Sequence, residues 1–324
     1  RSRLYHIRSN RLWFDAENYT WDAARQQIRL AGDTAIRHHQ KQTGNTTDVT
    51  FDGKLLGMDN TISAGFDLNH SSLQHDNNTY SGNPRYVSLL SPETGFFDSD
   101  LPFIPRYRNT ADQYALFVED RLAVTEQLSL VAGLRHDRVR IRRDDLITGS
   151  RAFSRTWNST GHRLGAVYAL TPTLSVYAQH SRAADPSTAP LMMSASGAKA
   201  DMTIGRQIEV GIKQSLPQQR GEWTLAAYNI TKHNLQSRDP ANPDNSIQVG
   251  KQSSRGIEGT LSLALSSTLR LDADATVLRA RYDDFNDAVD GAIVSRSGNT
   301  PPDVPERLAN LWLSWQMLPQ WTLS

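Results

Sequence analysis

The sequence of 324 residues has no cysteine and no long apolar run. Without cysteine, neither a disulfide framework nor a thiolate metal site can form. No window reaches the roughly 18 consecutive apolar residues that a transmembrane helix requires, and the mean hydropathy is −0.53. These absences leave a transmembrane β-barrel possible, because barrel strands alternate between apolar and polar residues and keep the mean hydropathy low.

Neither sign of charge dominates, since 35 Lys and Arg stand against 34 Asp and Glu. No basic run is present that a phosphate backbone would bind, so we predict no nucleic-acid partner. The motifs GxSxG, GxGxxG, HExxH and the P-loop are also missing, so we predict that the chain is not an enzyme and has no metal site of its own. The chain begins RSRLYHIR and stops at QWTLS, where a strand is opening, so we expect a fragment cut at both ends.

Apolar and polar residues alternate along much of the chain with the period of a β-strand. In LSLVAGLRHD, residues 128–137, the even positions are apolar from Leu128 to Leu134, whereas Arg135 and Asp137 lie on the other face. The pattern predicts strands at about 2–9, 27–53, 57–69, 111–124, 127–142, 155–169, 173–182, 204–215, 222–235, 247–264, 267–282 and 306–317, with a thirteenth opening at Trp321.

The connections between these strands alternate between short and long. Turns of a few residues lie near 125–126, 171–173, 266–267 and 318–320, and long polar stretches lie at 70–110, 143–154, 183–203, 237–246 and 283–305. Alternate connections of antiparallel strands share one end, so all long loops are expected together. That asymmetry is typical of outer-membrane barrels and is not required of sandwiches. We therefore predict an all-β, antiparallel transmembrane β-barrel.

Six segments, in order, resemble the barrel of TonB-dependent siderophore receptors, and the likeness is greatest to the ferric hydroxamate, ferrichrome-type branch. They are YALFVEDRLAVTEQLSLVAGLRHD (114–137), SVYAQHSRAADPS (175–187), GRQIEVGIKQSL (205–216), LAAYNITKHNLQSRDP (225–240), SSRGIEGTLSLAL (253–265) and PERLANLWLSWQM (305–317). The resemblance covers nearly the whole chain. It implies a barrel of about 22 strands around a plug, of which residues 1–324 would form a partial barrel domain with about 12–13 strands and no plug domain.

The resemblance also implies a function for the parent protein, namely a TonB-dependent receptor and transporter for a ferric siderophore in the outer membrane of a Gram-negative bacterium. The implied partners are the ferric siderophore, outer-membrane lipid including lipopolysaccharide, and TonB–ExbB–ExbD, which would bind the missing N-terminal part. No cofactor is implied beyond the ferric cargo. Alternative cargoes on the same fold are cobalamin, haem, a copper chelate or a glycan, and a porin independent of TonB is a further alternative.

Receptors of this family are similar in using aromatic residues to hold the chelate. A wrapped ferric chelate is bulky and carries little exposed charge, and aromatic rings give it rigid contact area with a polar handle. The alternative role for such residues is loop packing or the interfacial aromatic girdle. The candidates are Tyr5, Trp13, Phe14, Tyr19 and Trp21 near the first loop, and Tyr80, Tyr86, Phe96, Phe97 and Tyr107 in the longest loop.

Four further residues carry specific expectations. His38 and His39 are adjacent, and neighbours in a strand point to opposite faces, so we predict polar wall residues and not a shared metal site. Glu209 matches a family motif and is predicted to face the lumen, paired with an Arg or Lys of a neighbouring strand. Gly256 is predicted to mark a close approach or a bulge.

Overall fold

The structure, a computed structural model, describes residues 1–78, 85–92, 101–185, 190–195, 197–238, 246–289 and 292–324. The candidate residues Tyr80, Phe96 and Phe97 lie outside the described residues. No helix among the residues that are described has the length and apolar content to cross a membrane.

Strands make up most of the described chain. In chain order they are β1 (Ser2–Asp22), β2 (Gln27–Leu55), β3 (Met58–Asn77), β4 (Arg85–Ser88), β5 (Ile104–Ala123), β6 (Leu128–Asp145), β7 (Arg151–Thr171), β8 (Leu174–Asp185), β9 (Thr203–Ser215), β10 (Gly221–Arg238), β11 (Ser246–Ala264), β12 (Leu269–Asp284), β13 (Asn286–Val289), β14 (Ala292–Ser295), β15 (Arg307–Leu318) and β16 (Trp321–Leu323). Short 3-10 turns lie at Pro190–Met192, Gly197–Lys199 and Pro217–Gln219.

One antiparallel sheet contains nearly all of these strands. Its path runs β1-β2-β3-β5-β6-β7-β8-β9-β10-β11-β12-β15-β16, with β4 paired to the far end of β2 and β13–β14 forming a separate hairpin. The thirteen strands of the path confirm the prediction of an all-β antiparallel fold with 12–13 strands. In this path each strand pairs with the strand that follows it in the meander, which is the simplest order for a chain of hairpins.

The sheet is curled, so that it has a concave and a convex face. Tyr5 of β1 and Met202, just before β9, line one cavity of about 360 Å³, although seven strand pairings separate β1 from β9 along the sheet. On the convex face, apolar side chains are left uncovered, with Leu116 at 67%, Leu134 at 57% and Leu130 at 43% exposure. We call this exposed apolar zone the convex apolar band.

The two ends of the sheet differ in their connections. At one end, the turn end, the connections are 56–57, 124–127, 172–173, 216–220, 265–268 and 319–320. At the other, the loop end, they are 23–26, 78–103, 146–150, 186–202, 239–245 and 285–306. All the long connections share the loop end, as the sequence predicts. Two connections there are nevertheless short, because their strands continue well beyond the predicted ends.

Three predicted loops are shorter than expected for this reason. β3 continues to Asn77 and β5 begins at Ile104, so the loop predicted at 70–110 loses both ends, and Tyr107 lies within β5 and not in that loop. The first strand continues to Asp22, so that Trp13 and Phe14 lie within β1 and not beside a loop, and the predicted loop at 143–154 is a tight hairpin in which Arg143 pairs with Phe153. Backbone pairing does not depend on side-chain polarity. Beyond the convex apolar band both faces of a strand can be polar, so the alternation that marks a strand in the sequence disappears.

Glu209 lies on the concave face of β9. Its carboxylate accepts hydrogen bonds from the Tyr177 hydroxyl at 2.7 Å and from Gln207 Nε2 at 2.7 Å. The prediction that Glu209 pairs with an Arg or Lys is therefore wrong, because no such ion pair forms among the described residues. The carboxylate is satisfied by neutral donors, which position it without a charge partner.

Gly256 of β11 confirms the predicted close approach. A Cβ at this position would lie 2.8 Å from the backbone oxygen of Val277 and 2.8 Å from the Tyr228 hydroxyl. We expect Gly256→Ala to destabilise the folded protein by about 1–3 kcal/mol, because the neighbouring β12 backbone must move. Urea unfolding in detergent micelles measures the change.

Gly259→Ala is the matched control for this prediction. It lies on the same strand, and its added Cβ would meet only ordinary contacts, 3.7 Å from Leu225 Cδ1 and 3.8 Å from the Thr224 oxygen. Equal losses of stability in the two variants would contradict the close-approach argument.

Candidate ligand-binding wall at the loop end

A continuous stack of six side chains crosses five strands on the concave face near the loop end. Arg11, His38, His75 and Tyr107 stand directly opposite one another on β1, β2, β3 and β5. Paired residues of antiparallel strands point to the same side, so the register alone aligns these four side chains. Together with one neighbour at each end, the members are Arg11, Trp13, His38, His75, Tyr107 and Arg143, which we call the cation–aromatic stack.

The four rings of the stack are in contact throughout. Trp13 meets His38 edge to face, with centroids 4.7 Å apart, and His38 meets His75 at 4.9 Å. His75 lies parallel to Tyr107, with centroids 4.7 Å apart and an interplanar angle of 6°. Such ring pairs stabilise by about 0.5–1.5 kcal/mol beyond the area that they bury. The wall at this level is therefore built of aligned rings.

An arginine lies over the last ring at each end of the stack. Arg11 Cζ is 4.4 Å from the Trp13 ring centroid, and Arg143 Cζ is 3.5 Å from that of Tyr107. Arginine held over an aromatic face is attracted by the ring quadrupole. Arg143 also donates from Nη1 to the Met193 carbonyl oxygen at 3.1 Å, which ties the stack to another part of the chain.

The two histidines of the stack are neutral at neutral pH. Both lie closer to the loop end than the convex apolar band. Burial, with the neighbouring His38 and Arg143, lowers the pKa of His75 to about 4, and burial also lowers the pKa of His38. His38 Nε2 and His75 Nδ1 are 2.8 Å apart, so one ring donates to the other. Burial raises the pKa of Tyr107 as well. Formal charge in the stack is thus confined to its two terminal arginines.

The residues 190–195 and 197–202, which we call the inner segment, lie against the concave wall beside the stack. Polar side chains of β5, β6 and β7 donate to backbone oxygens of this segment. The bonds run from Asn109 Nδ2 to Leu191 O at 2.9 Å and Met193 O at 3.2 Å, from Arg143 Nη1 to Met193 O at 3.1 Å, from Arg155 Nη1 to Ala198 O at 2.6 Å, and from Trp157 Nε1 to Ala200 O at 3.3 Å.

Apolar packing holds the same segment. Three apolar residues of the inner segment are buried against a cluster on the wall. They are Met193, Ala198 and Met202, and the cluster is formed by Ala111, Val139, Ile141 and Trp157. Burial of such side chains stabilises by about 25 cal/mol per Å² of apolar area. The inner segment is therefore a packed part of the wall, held by both polar and apolar contacts.

The structure brings two of the predicted ligand residues together and separates a third. Trp13 and Tyr107 belong to the same stack, with the rings of His38 and His75 between them. Phe14, next to Trp13 in β1, points to the opposite face and is 54% exposed. Tyr19 and Trp21 lie further along the same strand.

The remaining described candidates lie elsewhere. The expectation that Tyr5 lies near the first loop is wrong, because β1 extends to Asp22 and Tyr5 lies nearer its turn end. There its ring covers Gly44 and its hydroxyl accepts a hydrogen bond from Asn69 Nδ2 at 3.2 Å. Tyr86 of β4 lies at the tip of the β1–β2 hairpin, beneath Arg25 at 4.5 Å. These two rings are therefore not part of the stack.

Sequence reasoning missed most of the stack. His75 and Arg143 carry no motif, and residues 11, 38, 75 and 107 are far apart in the sequence. The signal that aligns them is strand register, which becomes visible only when strand lengths are known. His38 and His39 do point to opposite faces, since His38 contacts His75 whereas His39 Nδ1 contacts Asn10 Oδ1 at 2.9 Å. Across the described ranges, no three His, Asp or Glu side chains are grouped as a metal ion would require.

A curled antiparallel sheet with an apolar convex face, short turns at one end and a ring-lined concave wall at the other has the architecture of a segment of a β-barrel wall. The chain belongs to the family "TonB dependent receptor-like, beta-barrel", whose family model matches residues 2–324. Membership of this family, with relatives that are siderophore receptors, confirms the resemblance inferred from the sequence.

Among its curated relatives, the chain is 28% identical over 196 residues to the metal-pseudopaline receptor CntO of Pseudomonas aeruginosa, covering 59% of this chain and 27% of that one. It is 26% identical over 269 residues to the ferrichrome outer membrane transporter/phage receptor of Escherichia coli, covering 80% and 34%. The crystal structure of the siderophore receptor PiuA from Acinetobacter baumannii superposes with a TM-score of 0.80 at 17% identity, covering 99% of this chain and 50% of that one. The chain thus spans about a quarter of the metal-pseudopaline receptor and about a third of the ferrichrome transporter.

Proposed function

We propose that the intact protein is an outer-membrane transporter of a Gram-negative bacterium that binds a ferric siderophore and takes it up with energy delivered by TonB. The observation that carries this proposal is the cation–aromatic stack, which presents rings and two guanidinium groups on the concave wall at the loop end. In a barrel embedded in the outer membrane, that end faces the medium. The family relatives named above support the class of cargo.

The stack suits a wrapped ferric chelate in two respects. Ring edges offer rigid apolar contact to the organic shell of the chelate with little loss of conformational entropy. Arg11 and Arg143 offer N–H donors to carbonyl, phenolate or carboxylate oxygens on its rim. The neutral histidines between them add no charge to be desolvated when the chelate binds. Trp13 and Tyr107 are the residues that we assign to direct contact.

The other elements of the proposal concern partners and chemistry. Residues 1–324 are proposed to form one segment of the barrel domain, and the TonB–ExbB–ExbD complex is proposed to act through a part of the protein outside this chain. Lipopolysaccharide and phospholipid are proposed to surround the convex face. We propose that the segment has no catalytic activity and no resident cofactor, so that iron reaches it only inside the chelate.

A second candidate cargo is the chelate of another metal. The observation that favours it is the 28% identity to a receptor for metal-pseudopaline. The ferrichrome-type branch stays a prediction, because the relatives differ in the cargo that their names give.

An uptake assay tests the proposal. The intact protein is expressed in an iron-starved Gram-negative host that lacks its own siderophore receptors, and a panel of siderophores loaded with radioiron or radiozinc is supplied with and without TonB. We expect TonB-dependent uptake of one ferric chelate. Uptake of the zinc chelate alone would select the second candidate, and no uptake with a folded barrel in the membrane would exclude both.

A further inference from the structure

The inner segment contains two adjacent methionines whose side chains have opposite surroundings. The side chain of Met193 is buried in the apolar cluster of the wall, whereas that of Met192 is 43% exposed. A single exposed apolar residue is common on protein surfaces and says little by itself. The contacts that hold the backbone of Met192 decide whether its position is a matter of chance.

One side-chain amide holds the backbone on both sides of Met192. Asn109 Nδ2 of β5 donates to Leu191 O at 2.9 Å and to Met193 O at 3.2 Å, which are the carbonyl oxygens of the residues before and after it. Both donor hydrogens of the amide are used in this way. Asn109 is fully buried, so water does not compete for either bond. We call these two hydrogen bonds the Asn109 clamp.

The clamp leaves the acceptor of the same amide unsatisfied. Asn109 Oδ1 is buried and accepts no hydrogen bond from the part of the chain that the structure describes. A buried acceptor without a donor costs free energy, so such groups are rare in folded proteins and each requires an explanation. The double donation to the inner segment supplies one, because it fixes the position of the residue between the two carbonyl groups.

The clamped turn lies beside the cation–aromatic stack. The 3-10 turn Pro190–Met192 contacts β3 and β5, the strands that carry the two stacked rings in the middle of the wall. Asn109 is two residues from Tyr107 on the same face of β5. Arg143, whose guanidinium covers the Tyr107 ring, donates to Met193 O at 3.1 Å. The exposed methionine of the turn therefore belongs to the same part of the wall as Tyr107.

We propose that Met192 is a further contact residue for the chelate and that Asn109 is the positioning residue that holds it in place. The inference rests on the proposed function. A thioether on an unbranched side chain is apolar, polarisable and adaptable in shape, so it can follow the curved organic shell of a chelate. The rings of the stack are rigid and do not adjust in this way. Met192 is thus the adaptable part of a site whose other contacts are fixed.

Equilibrium binding to the purified intact receptor tests the proposal, with radioiron chelates of the uptake panel that include ferrichrome, ferrioxamine B and ferric citrate. For the chelate that binds most tightly, Met192→Ala is expected to weaken binding by about 5- to 10-fold. Met192→Leu keeps an apolar side chain of similar volume and is expected to weaken it by less than about twofold. Leu12→Ala is the matched control, because Leu12 is 49% exposed and lies at the level of the stack on the convex face. It is expected to leave binding unchanged.

Asn109→Asp tests the positioning role. It preserves the size of the side chain but replaces the donor of the clamp by an acceptor, so it is expected to weaken binding about as much as Met192→Ala. If Asn109 acts through Met192, the double variant binds no more weakly than Met192→Ala alone. Heat-modifiable gel mobility gives the assembled fraction of each variant, and every binding constant refers to assembled receptor.

Three outcomes would overturn the proposal in different ways. Unchanged affinity in Met192→Ala would remove Met192 from the site, while losses that multiply in the double variant would remove Asn109 from the positioning role. Neither of these results touches the proposed function, because the unmodified receptor still binds a chelate. Binding of no chelate of the panel by the unmodified receptor would overturn the proposed function and this proposal with it.

Discussion

An arginine at position 130 is expected to prevent assembly of the intact receptor in the membrane. Leu130 lies on the convex face of β6, 43% exposed, within the convex apolar band. An arginine on the lipid face near mid-bilayer costs about 2–4 kcal/mol, a large share of the stability of a folded domain. The heat-modifiable shift in gel mobility, which distinguishes folded from unfolded barrels, measures the assembled fraction in outer membranes.

Two variants control for the position of the charge. Ser129→Arg places the same side chain one residue earlier, on the polar concave face, and is expected to assemble normally. Arg135→Leu removes a concave charge whose partners are Asp67 at 2.7 Å and Asp137 at 2.9 Å. These three side chains are partly exposed, so the loss is expected to be at most about 1 kcal/mol. If Leu130→Arg assembles as well as Ser129→Arg, the assignment of the two faces is wrong.

Replacement of Trp13 by alanine is expected to weaken binding of the transported siderophore by about 10- to 30-fold, whereas Phe14→Ala is expected to change it by less than about twofold. Trp13 and Phe14 are adjacent to each other in β1, and the sequence alone predicts that both contact the chelate. The structure separates them, because Trp13 contacts His38 in the stack and Phe14 points to the convex face. Equilibrium binding of the radioiron chelate to the purified intact receptor measures both constants.

Tyr107→Ala extends the same prediction to the other end of the stack. It removes the ring beneath Arg143, so it is expected to weaken binding at least as much as Trp13→Ala. Tyr107→Phe keeps the ring and its stacking on His75, and a smaller loss is expected from it. If Trp13→Ala and Tyr107→Ala both leave the affinity for the chelate unchanged, the stack is not part of the binding site and is only a structural feature of the wall.

The fold could be predicted from the sequence where one face of a strand meets lipid. In residues 128–134 the alternation is strong, because each even position is apolar to match the bilayer, whereas Val131 is the one large apolar residue at the odd positions. In residues 9–22 and 143–154 no lipid-facing side imposes this alternation, so the sequence does not indicate that β1 and the β6–β7 hairpin continue there. Backbone pairing holds those extensions together, and it leaves little trace in residue type.

The candidate site shows the same limit in another form. The aromatic residues Trp13 and Tyr107 were identified from their chemistry, but their partners His75 and Arg143 were not. The contact between His75 and Tyr107 depends on the pairing register of β3 with β5, which is unbroken from the pair Asn60–Leu122 to the pair His75–Tyr107. A register error of one residue would place every one of these rings on the opposite face. Composition carries no information of that kind.

The anchoring of the inner segment has a consequence for how such a protein can change over generations. Asn109, Arg143, Arg155 and Trp157 all donate to main-chain oxygens of that segment, and a main-chain oxygen is present whatever the residue. Substitutions at its exposed positions, such as Met192, therefore leave the attachment in place. Natural selection can vary the chemistry displayed beside the ring-lined wall while the wall itself is inherited unchanged.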